Sequence, residues 1–122
     1  MHDRQIPRAE WFNFFQAFSR RHEDWPVTIR VISPRLGSQV EAAELPLEGI
    51  VADRAGRGPI SIHVGHDIKR HVEHEVENPL QVWVEVADSG GEEALEIESS
   101  DGTKTLLLFG PETVDDVLRR SC

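Results

Sequence analysis

Trp11, Phe14, Phe15 and Phe18 stand at the i, i+3, i+4 and i+7 positions of one α-helical face. With Phe12 they are five of the eight aromatic residues in the chain, which has three Trp and five Phe. Each such ring removes about 150–250 Å² from water when buried. The stripe therefore demands an apolar surface to lie on. The helix also has local boundaries. Pro7 suits a first turn, where a missing N–H costs nothing, and Glu10 suits the positive end of the helix dipole. Arg20, Arg21 and His22 suit the negative end, and Trp25-Pro26 closes the segment. Its polar side, Asn13, Gln16 and Arg20, is too weakly basic for a membrane-surface helix, so core packing is expected.

The surface it needs is a sheet. Val27–Ile32 alternates, with Val27, Ile29 and Val31 on one face. A long second strand runs from about Gln39 to Asp53, and Pro46 within it implies an edge or a bend. The loop Arg54–Pro59 has two glycines but no phosphate-loop spacing. Ile60–Val64 and His71–Val76 pair with their apolar faces matched when Val64 opposes Val72, Ile62 opposes His74 and Ile60 opposes Val76. That register puts His63 against Glu73 on the other face, with His71 beside them. Leu80–Ala87 turns its Leu80, Val82, Val84 and Val86 inward. Glu93–Ser99 then sets Leu95 against Val86, Ile97 against Val84, and Glu96 against Glu85. Read as a two-residue hairpin, Asp101-Gly102 opposes Ile97 to Leu106 and Leu95 to Leu108. This register leaves Trp83, Leu107 and Phe109 on the outer face, as a surface for a partner or for a short C-terminal helix. That helix is expected over Pro111–Arg120, with Val114, Val117 and Leu118 as its apolar face. The fold expected is α+β: one domain over residues 1–122, a curled antiparallel meander of six to seven strands, with barrel-like closure as an alternative. The aromatic helix would pack on its concave face.

Charge narrows the partners. The formal charge is −9. Residues 1–35 carry six Arg against four acids, and residues 36–122 carry seven Lys or Arg against eighteen acids. An acidic sheet repels phosphate backbones, so no nucleic acid is expected. No apolar run approaches a membrane span. The single Cys122 and the lack of an apolar leader point to the cytoplasm.

Several segments look familiar together. They are Ile6-Pro7-Arg8-Ala9-Glu10-Trp11, Leu45-Pro46-Leu47-Glu48-Gly49-Ile50, His71-Val72-Glu73-His74 before Asn78-Pro79, and Ala94-Leu95-Glu96-Ile97-Glu98 before the Asp-Gly turn. Over roughly positions 6–118 the chain resembles a family of small, uncharacterised bacterial proteins known only as a domain of unknown function. The resemblance implies a bacterial, soluble, stand-alone domain. It brings no activity, cofactor or catalytic residue.

The chemistry must therefore come from the residues. His63, His66, His71 and His74 cluster with Asp67 and Glu73. Imidazole and carboxylate are ordinary ligands for zinc or iron. Strand alternation separates His71 from His74, while the register gathers His63, His71 and Glu73 within reach of one ion. His66 or Asp67 would be a fourth ligand, and His74 a buried, hydrogen-bonded imidazole. Nucleophilic chemistry finds no support. Cys122 is the terminal residue, and Ser61 is not read as a dyad partner of His63; the pair Glu85 and Glu96 lies on an open surface without a pocket. Two functions are expected. The first is a non-catalytic interaction module using Trp83, Leu107 and Phe109, with a second copy or another protein as partner. The alternative is a metal-binding protein or metal-dependent enzyme using His63, His71 and Glu73, with Zn or Fe.

Overall fold

The computed structural model describes residues 2–65, 71–86 and 92–109. In chain order these form β1 (His2–Ile6), a 3₁₀ turn (Arg8–Glu10), α1 (Trp11–Arg21), β2 (Pro26–Ser33), β3 (Gly37–Val51), β4 (Ile60–Gly65), β5 (His71–Val76), β6 (Pro79–Val86), β7 (Glu92–Ser99) and β8 (Lys104–Phe109). The eight strands make one antiparallel sheet in the order β1-β6-β7-β8-β2-β3-β4-β5. The expected C-terminal helix lies outside the described residues.

Two hairpin runs, β2 to β5 and β6 to β8, are joined where β2 pairs with β8. The bend between them is written into β3. Its residues through Pro46 pair with β2, and those from Leu47 onward pair with β4. Pro46 opposes Pro26, so neither can donate a ladder hydrogen bond. Register shifts flank this point, and Glu44 is left-handed at φ +50. Such bulges bend a strand and increase its twist. The sheet curls enough for the two residues Glu77-Asn78 to link β5, at one end of the order, to β6 near the other. It does not close: β1 and β5 are its edges.

The helix occupies the concave side. Trp11, Phe15 and Phe18 are fully buried, and Phe14 packs against the same core. The core cluster draws apolar residues from all eight strands, from Ile6 in β1 to Leu107 in β8. Two polar links set the helix. Trp11 Nε1 donates to Ile6 O at 2.9 Å, and Ser19 Oγ accepts from Ile50 N at 2.9 Å. The helix ends at Arg21, four residues ahead of the expected stop at Trp25. His22 is the C-cap and is buried. Its Nδ1 donates to Phe18 O at 2.9 Å, and its ring stacks on Phe18 and Phe109 with Trp25 edge-on.

Several expectations are corrected. The described residues form eight strands, because β1 pairs with β6 from residue 2 onward. Its sequence, His-Asp-Arg-Gln-Ile, has a single apolar residue and gives no alternation to read. In the β6–β7 hairpin, Val84 opposes Leu95 and Trp83 opposes Glu96, so Glu85 faces Ala94 and not Glu96. This two-residue shift leaves the faces unchanged, although an irregularity between Pro79 and Gln81 leaves Leu80 exposed. The β7–β8 hairpin is shifted by one. Ser99 N donates to Thr103 O, and Gly102 sits at φ +88, so the loop is Ser100-Asp101-Gly102. A three-residue loop of this kind ends in a left-handed residue, which glycine supplies. The odd shift flips β8. Leu95 now opposes Leu107, and Leu107 is buried. Phe109 packs on the core against Phe18. Leu106 and Leu108 take the outer face in their place.

Candidate metal centre

β4 and β5 pair in the register that their apolar faces predict. Val64 opposes Val72, Ile62 opposes His74, Ile60 opposes Val76 and His63 opposes Glu73. Ile60, Ile62 and Val64 are fully buried. Alternation therefore turns Ser61 and His63 to the outer face, together with their β5 partners Glu75 and Glu73. His71, opposite Gly65, lies beside His63, with ring centroids 5.8 Å apart. His63, His71 and Glu73 each offer one ligand atom, and these atoms all lie within 4.8 Å of one another. Zinc bonds of about 2.0–2.2 Å place tetrahedral ligand atoms roughly 3.4 Å apart. Small side-chain rotations close that difference, since His71 and Glu73 are exposed and His63 is half-buried.

A fourth group was not legible in the sequence. Glu48 Oε1 lies 3.2 Å from His71 Nδ1. It comes from β3, on the far side of β4. Leu47 opposes Val64 and Gly49 opposes His63, so Glu48 is the extra residue of a bulge. The nearest sequence signal was the occurrence of Pro46 and Gly49, on either side of Glu48, in an otherwise strand-like run. The other proposed fourth ligands, His66 and Asp67, lie outside the described residues.

His74 is on the inner face, opposite Ile62, but is half-buried because β5 is an edge. Burial lowers its pKa from the ordinary 6.5, and the negative charge of Glu41 partly opposes that. A surface groove lined by Asp24, Pro26, Glu44, Pro46 and Gly65 contains none of the three clustered ligands. Trp83 is half-buried on the outer face, away from its expected companions Leu107 and Phe109. No helix among the described residues is long and apolar enough to cross a membrane.

Comparison with known proteins agrees with the resemblance seen in the sequence. Residues 2–117 match the model of a family described as "Family of unknown function (DUF5335)". The chain is also similar to an uncharacterised protein of Aquifex aeolicus (strain VF5). The two are 27% identical over 112 residues, which cover 91% of this chain and 95% of that protein. No solved structure matches.

Proposed function

Because the chain belongs to the DUF5335 family, whose description supplies no activity, its own side chains must supply the chemistry, and we propose that it is a small, non-catalytic module that binds one divalent transition-metal ion through His63, His71 and Glu73. The observation that carries this reading is the convergence of the three ligand atoms within 4.8 Å. Two imidazoles and one carboxylate suit zinc completed by water, and equally iron(II) with open positions. The surrounding charge favours a cation, since Glu75 shares the face and Glu48 touches His71. A non-catalytic role is supported by the sheet face on which the three ligands stand, where the described residues raise no walls to enclose a substrate.

The test is native mass spectrometry of untagged protein purified without chelator and equilibrated with Zn²⁺ or Fe²⁺. One metal per chain is expected, lost in His71→Ala and in Glu73→Gln. A wild-type chain that stays metal-free sinks the reading.

A second reading, a protein-docking sheet face, has an observation of its own. Trp83, Glu96 and Leu106 are successive partners across β6, β7 and β8, and all three are half-buried on the outer face. A doubled mass without metal, reduced to a single mass by Trp83→Ala, would favour it.

A further inference from the structure

Glu48 and His71 belong to strands that do not pair. β3 and β5 flank β4, and two strand spacings amount to about 10 Å. Their side chains nevertheless meet at 3.2 Å. Two backbone features allow this. The β3 bulge adds Glu48 as a residue with no ladder partner, and bulges re-aim side chains. The β4 residue paired with His71 is Gly65, which has no side chain to stand between them.

The contact has a chemical consequence. An ionised carboxylate can only accept a hydrogen bond, so the proton of His71 must sit on Nδ1. Nε2 then carries the lone pair. A metal-bound histidine commonly donates its other ring N–H to a carboxylate, which fixes tautomer and ring orientation and raises ligand basicity. We propose that Glu48 is the positioning residue of the centre: it fixes His71 in the Nδ1–H tautomer, so that Nε2 is the atom offered to the metal beside His63 and Glu73. This inference rests on the metal reading above. Charge agrees with it. Two neutral imidazoles with the carboxylates of Glu48 and Glu73 balance one divalent ion.

Glu48 is exposed, so its replacement leaves the core intact. The experiment combines ¹⁵N long-range correlation spectra of the histidine side chains, at a pH where imidazole is neutral, with calorimetric titration of Zn²⁺. Wild-type protein should show His71 as the Nδ1–H tautomer. Glu48→Ala should lose that signature and weaken Zn²⁺ binding about 10–100-fold. Glu48→Gln, whose amide oxygen still accepts from Nδ1, should keep the tautomer and lose less affinity. If the wild type binds Zn²⁺ and Glu48→Ala binds it equally well, the role of Glu48 is overturned while the centre stands. If the wild type binds no Zn²⁺, the metal reading falls, and this inference with it.

Discussion

At the scale of single residues, Arg8 ties three distant segments together. Its guanidinium stacks over Trp11 at 4.4 Å and donates to Gly56 O and to Pro79 O. The 3₁₀ turn is thereby joined to the β3–β4 loop and to the start of β6. Gly56 has to be glycine on two counts. Its φ is +68, and a Cβ there would lie 2.7 Å from Arg8 Cγ and 3.1 Å from Arg8 O. Gly37 provides a control, with φ +75 and nothing within 4 Å of a Cβ. Gly37→Ala is expected to cost about 1 kcal/mol, from backbone conformation alone. Gly56→Ala should cost about 1–2 kcal/mol more, from the added clash. Urea midpoints at equal m-values measure both. The same loop carries a pH signature. Asp53 accepts from Arg57 N at 3.0 Å and from Gly58 N at 2.6 Å. These backbone hydrogen bonds, that of Arg57 foremost, hold its pKa below the ordinary 3.8. The folded state thus favours the carboxylate. Its stabilisation is present above pH 3.8 and is lost as pH falls through the lower folded value. The stability gap between wild type and Asp53→Asn should therefore be widest above that pH and close below it.

At the scale of elements, the β7–β8 hairpin gives the sharpest test of register. Leu107 is in the core, while Leu106 is half-buried outside, opposite Glu96 and Arg30. Leu107→Ala should destabilise by about 2–5 kcal/mol, as core truncations do. Leu106→Ala should cost less than about 1 kcal/mol. A two-residue Asp-Gly turn would reverse that order. The case also shows what the sequence could carry. The β4–β5 register, and with it the meeting of His63, His71 and Glu73, was legible because both strands have an apolar face and only one alignment buries both. The β8 face was not legible. Thr105, Leu106, Leu107 and Leu108 present no alternation, so the turn alone decides, and Asp101-Gly102 fits both a two-residue and a three-residue loop. The aromatic stripe of α1 was plain, since bulk at helical spacing has few alternatives. β1 was hidden because an edge strand held mainly by its backbone needs little apolar sequence. Glu48 was hidden because a bulge is a property of two strands, and neither strand alone records it.

At the scale of the whole molecule, the placing of the centre decides how metal should act on folding. Among the described residues β5 is an edge strand bonded only to β4, yet it supplies two of the three ligands. Any opening that detaches β5 destroys the site. Metal that binds only the intact sheet therefore opposes both global unfolding and this smaller opening. At a free Zn²⁺ concentration of 100 Kd the stabilisation is about 2.7 kcal/mol. For a chain of this length that corresponds to a rise in Tm of about 10 °C. Binding of Zn²⁺ to histidines of the unfolded chain would make the rise smaller. Amide exchange should locate the effect. Slowing is expected to be strongest in β4, in β5 and in the Leu47–Val51 part of β3, because these segments carry or flank the ligands and open at low cost from the edge. The β6–β7–β8 segment should slow only in amides that exchange through global unfolding. In His71→Ala both the rise in Tm and the local slowing should vanish. Equal slowing of every amide in the sheet would instead mean that β5 never detaches alone, and that the curled sheet opens as one cooperative unit around α1.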